Sequence, residues 1–316
     1  MVKTVFFGTP DFALPTLRRL LDSPHRVVAV VTQPDRPRGR GRRVSPSAVK
    51  SLAADHALPV LEPERLASEA FRERIAAFGP DLAVVAAYGR LLPDPLLATP
   101  RLGTINVHAS LLPKYRGAAP IQRAILAGET TTGVTIIRLV RDMDGGPMLA
   151  WRRRPIDPDE TSTAVERDLA EIGAGLLMEA VAALDAGTAV ETPQDHGAAT
   201  LAPRLSREDG RIDWRRPGRA IHDQVRGLHP WPHAFTHLGG ARYLVLGSRV
   251  AAPAGGVDVA PGTLVEAAGD RLVAAAGNGS TLAITEIQPE GRRPLAVRAF
   301  LAGRRWTAGM HFDPAP

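Results

Sequence analysis

Asn106 and His108 stand two residues apart at the end of an apolar run, Thr104 to Val107, that reads as a buried strand. Side chains two apart on an extended backbone share a face, so the amide and the imidazole point the same way. Ligands bind beyond the carboxyl ends of strands in open α/β sheets, and two donors converging there can stabilise a developing oxyanion. The plainer role for such a pair is to satisfy loop carbonyls, and an N-x-H spacing alone does not choose between the two. Asp144 follows His108 by 36 residues, in a Met143-Asp144-Gly145-Gly146 turn between two strand-like segments. Such a turn can carry a carboxylate to the same sheet edge, although Asp before Gly more often stabilises its own turn. Ser110-Leu111-Leu112-Pro113 comes directly after the pair, then Tyr115-Arg116-Gly117 and Pro120-Ile121. This loop carries apolar residues where exposure would favour polar ones, so it suits either the wall of an apolar ligand pocket or packing on the core.

Composition narrows the chemistry. The 316 residues contain no cysteine, so a disulfide framework, a thiolate metal site and a thiol nucleophile are all ruled out. The opening MVKTVFFGTPDF has an apolar run too short for a secretory signal, and no stretch approaches the roughly 20 apolar residues of a membrane span. A cytoplasmic location is expected. The net charge of +6 is unevenly placed: 24 Lys and Arg face 23 Asp and Glu up to residue 200, and 15 face 10 beyond it. Arg36, Arg38, Arg40, Arg42 and Arg43 add five positive charges with no acid among them. A polyanion contacting one loop and the C-terminal region would require this placement, and a solvated arginine-rich surface accounts for it equally well.

The elements that must position these groups alternate. Val2 to Phe7 is an apolar strand, and Gly8-Thr9-Pro10 opens a helical pattern through Leu21 with Thr9 as its cap. Val27 to Thr32, Leu82 to Ala87 and Thr104 to Val107 read as strands buried on both faces; Pro46 to His56, after Ser45, and Glu62 to Phe78 read as helices. The alternation predicts a mostly parallel, doubly wound sheet. Val134 to Leu139 and Pro147 to Arg153 are strand-like, and Thr161 to Asp185 is one long helix. The expected domains are 1–188, an aperiodic linker at 189–205, and 206–316. In the last, a helix near Arg219 to Leu228 is followed by short strands, with Asn278-Gly279 marking a hairpin. Short strands with regular turns suggest an OB-like β-barrel, a common nucleic-acid platform.

Over nearly its whole length the sequence resembles the methionyl-tRNA formyltransferases. The resemblance is carried by Gly8-Thr9-Pro10-Asp11-Phe12, Thr32-Gln33-Pro34-Asp35-Arg36-Pro37, Ala87-Tyr88-Gly89, Ile105-Asn106-Val107-His108, Ser110-Leu111-Leu112-Pro113 and Arg116-Gly117-Ala118-Ala119-Pro120-Ile121-Gln122. Arg211-Ile212-Asp213-Trp214 and Pro230-Trp231-Pro232 extend it toward the C-terminus. It implies a Rossmann-like catalytic domain that transfers a formyl group from 10-formyltetrahydrofolate, without a metal, to the α-amino group of methionine on initiator tRNA. Asn106 and His108 would donate to the oxyanion, while Asp144 would orient His108, favour its protonated form, and accept or relay the amine proton. Ser110, Leu111, Leu112 and Pro113 would line the folate pocket, with backbone near Arg90 and Leu91 bonding the pterin. Arg36, Arg38, Arg40, Arg42 and Arg43 would clamp the tRNA, and a monomer is expected. A dinucleotide site is set aside because Gly8-Thr9-Pro10 lacks the G-x-G-x-x-G spacing. Two rivals remain: a formyltransferase or formyltetrahydrofolate hydrolase acting on a small molecule, against which the basic C-terminal region argues, and an RNA-binding protein with an inert α/β domain, against which the retained Asn106, His108 and Asp144 argue.

Overall fold

The computed structural model describes residues 1–35, 37–38, 43–251 and 259–314. The chain divides into two compact units. The first comprises Met1–Pro120, Thr131–Pro155 and Glu166–Pro203, and the second Ile121–Thr130, Ile156–Val165 and Arg204–Pro316. Two short stretches from earlier in the chain thus belong with the second unit. The segment expected to be a linker belongs, as far as Pro203, with the first.

In chain order the elements of the first half are β1 (Lys3–Gly8), α1 (Leu14–Leu21), β2 (Arg26–Val31), the two-residue β3 (Pro37–Arg38) and β4 (Arg43–Val44), α2 (Ala48–Asp55), β5 (Val60–Leu61) and α3 (Glu69–Ala77). They continue with β6 (Leu82–Ala86), α4 (Asp94–Leu97), β7 (Thr104–His108), β8 (Arg116–Gly117), α5 (Pro120–Leu126), β9 (Thr131–Arg138), β10 (Met148–Pro155), α6 (Ser162–Ala186) and β11 (Leu201–Ala202). The main sheet has seven strands in the order β10-β9-β7-β6-β1-β2-β5. The five strands from β7 to β5 are parallel, and β9 and β10 form an antiparallel edge. The central strands read as mainly apolar runs because both faces are covered. Val5, Phe7, Ala29, Val31, Ala83 and Val85 pack with Phe71 and Ile75 of α3. The alternating Phe6, Val30 and Val84, each 0% exposed, face the other way.

Three local expectations shift by a few residues. Thr9 caps no helix; a 3₁₀ turn at Asp11–Ala13 precedes α1, and the Thr9 hydroxyl instead accepts from the Gln33 amide at 3.4 Å. The cap of α2 is Ser47, whose hydroxyl accepts from the Lys50 amide, two residues past the expected Ser45. The helix expected from Glu62 begins only at Glu69, where Ser68 caps the Phe71 amide. For α2 and α3 a serine with an amide donor three residues ahead defines the start, whereas α1 has no side-chain cap.

The second unit contains α7 (Gly218–Gly227), β12 (Ala234–Leu238), β13 (Ala241–Ala251), β14 (Leu264–Ala268), β15 (Arg271–Ala275), β16 (Thr281–Pro289), β17 (Leu295–Ala296) and α8 (Val297–Ala302). Its antiparallel sheet runs β12-β13-β16-β15-β14, with β17 on β16. The expected barrel is not closed: among the described residues β12 and β14 do not pair. The chain near the C-terminus spans the opening instead. Phe312 donates its amide to the Gly262 carbonyl at 3.0 Å, and Asp313 donates to His237 at 2.8 Å. Phe312 stacks on Trp214 with ring centroids 4.8 Å apart, within a core that includes Trp306, Phe300, Tyr243 and Leu264. Asn278 and Gly279 form the hairpin between β15 and β16, both at positive φ, as a type I′ turn requires.

Helix α7 carries a buried polar face. Asp223 and Arg226 pair at 2.8 Å with each side chain 4% exposed, and Arg226 also donates to the Glu160 carbonyl. His222, 3% exposed, meets the Ser248 hydroxyl at Nδ1 and the Pro158 carbonyl at Nε2. Burial holds its pKa below the ordinary 6.5, helped by Arg219 and Arg226 and opposed by the Pro158 carbonyl and Asp159. The unfolded chain therefore takes up a proton near pH 6.5 that the folded chain refuses until lower pH. Stability of the second unit should fall as pH drops below 6.5 toward the folded value, and His222→Gln should remove this part of the pH dependence. Urea melts at pH 7.5 and 5.5 check it.

Candidate active site

β7 ends at His108, and three loops meet its side chain or its neighbours. The ring Nε2 lies 3.0 Å from the Tyr115 carbonyl oxygen, which can only accept, so Nε2 carries a proton. On the other side Nδ1 faces Asp144 Oδ2 at 3.7 Å. His108 is 5% exposed and Asp144 14%, which keeps the pair largely out of water. Asp144 Oδ2 also accepts the Gly117 amide at 2.9 Å. The backbone at Asp144 has φ 50° and that at Tyr115 φ 63°, conformations a non-glycine residue keeps only when its surroundings hold it there.

The expected trio is brought to one strand end and the turn beside it. Asn106 pairs in register with Val85 of β6 and Ile137 of β9. Its side chain is half-buried and, among the described residues, forms no hydrogen bond, so its amide donor is available. The His108 donor is occupied by Tyr115 in this conformation.

The Ser110 to Pro113 loop is braced from within. Ser110, 0% exposed, donates to the Lys114 carbonyl at 2.6 Å. Thr135 of β9 donates to the Ser110 carbonyl and accepts the Leu112 amide. Leu112 is buried, whereas Leu111 and Pro113 remain half-exposed. A Cβ on Gly133 would lie 2.6 Å from the Leu111 side chain and 2.1 Å from the Arg152 carbonyl, so the loop rests on bare backbone there. The Arg90 guanidinium donates to the Pro63 and Glu64 carbonyls, and Leu91 is 73% exposed. Among the described residues the backbone amides of Arg90 and Leu91 make no hydrogen bond, which leaves two donors for a heterocycle. Of the arginine loop, Arg36, Arg40 and Arg42 lie outside the described residues; Arg38 and Arg43 are described only as backbone, in the β3–β4 ribbon.

The contacts that residues 192–202 make with the loops beside His108 are not legible in the sequence. Thr192 pairs with Met148, Gln194 lies under the Asp144 turn, and Leu201–Ala202 pairs with Arg116–Gly117. These residues carry no periodicity and no recognisable motif, so only their long-range contacts reveal them.

Residues 2–181 match the formyl transferase family and residues 204–305 the formyl transferase C-terminal domain. The methionyl-tRNA formyltransferase of Pelobacter propionicus is 48% identical over 95% of this chain and 92% of its own length. That of Pseudomonas paraeruginosa is 46% identical over 96% of each chain. Among solved structures, an N-formyltransferase from Helicobacter canadensis, in complex with folinic acid and dTDP-3-aminofucose, superposes with a TM-score of 0.66 at 15% identity, over 92% of this chain and 100% of that one. At that identity the likeness speaks for the fold. Two near-full-length relatives approaching half identity, and family matches to both parts of the chain, establish that this protein belongs to the methionyl-tRNA formyltransferase family.

Proposed function

We infer that the protein transfers a formyl group from 10-formyltetrahydrofolate to the α-amino group of methionine on initiator methionyl-tRNA, with Asn106, His108 and Asp144 as its catalytic residues. The observation that carries the site assignment is an unengaged Asn106 amide two residues before His108 on β7, with Asp144 against the His108 ring. In the reaction the methionyl nitrogen attacks the formyl carbon, a C–N bond forms, and the bond to N10 of the folate breaks. The amine loses one proton and N10 gains one. Asn106 donates to the oxygen on which negative charge develops. That oxygen is a stronger acceptor than the neutral Tyr115 carbonyl, so it draws the His108 Nε2–H toward itself as charge builds. Asp144 holds the ring from the Nδ1 side and lies at the site as an acceptor for the amine proton, directly or through water.

The folate would be held by the amides of Arg90 and Leu91 and by the half-exposed Leu111 and Pro113, with Ser110 and Leu112 keeping their loop in shape. It supplies the formyl group. An amine nucleophile needs no covalent enzyme intermediate, so labelled donor incubated without tRNA should leave no label on the protein. A trapped formyl-enzyme would overturn the direct transfer.

The tRNA is held, in the same reading, by Arg36, Arg38, Arg40, Arg42 and Arg43, which have no aromatic residue among them and so suit phosphates more than bases. Arg40→Ala with Arg42→Ala should raise KM for the tRNA and flatten its dependence on salt while folate binding is unchanged. Unchanged tRNA kinetics would remove the loop from the account. A cytoplasmic monomer belongs to the proposal because the charged tRNA is met where translation occurs; among the described residues no helix is long and apolar enough to cross a membrane.

A further inference from the structure

The two acceptors that face the His108 ring, the Tyr115 carbonyl and the Asp144 carboxylate, lie on different loops, and one stretch of chain, residues 192–202, is bonded to both. On the Tyr115 side, Thr200 accepts the Tyr115 amide at its hydroxyl and the Arg116 amide at its carbonyl. The Ala202 carbonyl accepts from Ala118 and Ala119. On the Asp144 side, among the described residues, one side chain reaches the turn itself, and the Thr192–Met148 backbone pair lies just beyond it. Gln194, 6% exposed, donates through Nε2 to the Asp144 carbonyl at 2.8 Å and the Gly146 carbonyl at 2.7 Å, on both flanks of the turn.

The amide can sit only one way round. Its Oε1 accepts from Arg116 Nη2 at 2.6 Å and Nε at 3.2 Å, and a guanidinium has nothing but donors. Its Nε2 faces two carbonyls, which have nothing but lone pairs. Arg116 is 9% exposed, and among the described residues it has no carboxylate partner; it is satisfied by Gln194 and, more distantly, by His196 Nδ1 at 3.4 Å. The turn that Gln194 holds has little freedom elsewhere. Asp144 sits at positive φ, and a Cβ on Gly146 would lie 1.9 Å from the Arg138 carbonyl.

We propose that Gln194, oriented by Arg116, is a positioning residue for catalysis: it locks the Asp144 turn so that the carboxylate stays against His108. The inference rests on the reading that Asp144 serves His108 in formyl transfer. It distinguishes the two ends of the Gln194 side chain. A glutamate at 194 keeps an oxygen for Arg116 but offers lone pairs to the two turn carbonyls, so the turn loses both bonds.

The test is a double-mutant cycle on the full-length protein, with formylation of charged initiator tRNA as the readout. Gln194→Met and Gln194→Glu should each lower kcat roughly tenfold, a middle value for residues sharing one hydrogen-bond network, with KM for folate and tRNA unchanged. Their pH–rate profiles should take the shape of the Asp144→Asn profile. In the Asp144→Asn background either substitution should cost less than about twofold, because the group being positioned is already gone. Thermal melts and tetrahydrofolate binding establish that each variant is folded. Full activity of Gln194→Glu would mean that residue 194 serves only Arg116 and would overturn the proposal. So would losses that multiply with an impaired Asp144→Asn, which leave the role of Asp144 intact. A fully active Asp144→Asn would remove the underlying reading and this inference together.

Discussion

Replacing Asn106 by alanine should lower kcat about 10²- to 10³-fold, equivalent to about 2.7–4 kcal/mol of transition-state stabilisation, the usual cost of deleting one preorganised oxyanion donor. The size follows from the state of the side chain. Its amide makes no hydrogen bond to the described residues, so it is held at the strand end with its donor unspent. The companion donor, His108 Nε2–H, begins the reaction bonded to the Tyr115 carbonyl and must exchange partners. Asn106 is therefore the donor that needs no rearrangement, and its loss cannot be covered by its neighbour. Because Asn106 is half-buried and fixes no loop, stability should change little. Single-turnover formylation with saturating donor isolates the step, and an unchanged rate would remove Asn106 from the oxyanion site.

The second large effect is on stability. Phe312→Ala should destabilise the second unit by about 3–5 kcal/mol, the range for removing a fully buried phenylalanine. Phe312 is 0% exposed and contacts Trp214 in a stack and Trp306 edge-on at 5.7 Å. Its backbone also ties the segment that spans the two unpaired edges of the sheet, since the Phe312 amide donates to Gly262 and the next residue donates to His237. Losing the ring leaves a cavity and loosens that closure together. Denaturant melts monitored by tryptophan fluorescence measure it, and a change under 1 kcal/mol would show that the closure is not held from this point. Residues near the end of a chain usually fray unless docked, which is why the effect is larger than position in the sequence suggests.

The parts of the fold legible in the sequence are those whose signal is local. β6 is an unbroken apolar run and β1 is apolar from Val5 because both sheet faces are covered, and Asn278-Gly279 can take the two positive φ values of a tight hairpin. Helix starts slipped where two polar residues compete, as with Ser45 and Ser47, because the cap is settled by which hydroxyl meets an amide three residues ahead. The barrel expected from the short strands is left open between β12 and β14, and a lone Phe312 in an irregular tail gives no periodic sign that the tail spans the gap. Asn106 and His108 were visible because polar residues interrupt an apolar strand. Gln194 was not, since a glutamine among Pro193, Asp195 and His196 looks like any surface loop until the fold puts Arg116 on one side and the Asp144 turn on the other.

Delivery of a formyl group by the Asn106–His108–Asp144 site to methionine on the initiator tRNA can be measured as kcat/KM for transfer from 10-formyltetrahydrofolate to charged initiator methionyl-tRNA, beside elongator methionyl-tRNA and a small free amine. Initiator methionyl-tRNA should be formylated rapidly and both controls far more weakly, and initiator activity should be lost in Asn106→Ala. Equal rates on the small amine and the initiator tRNA, or full activity without Asn106, would contradict this assignment.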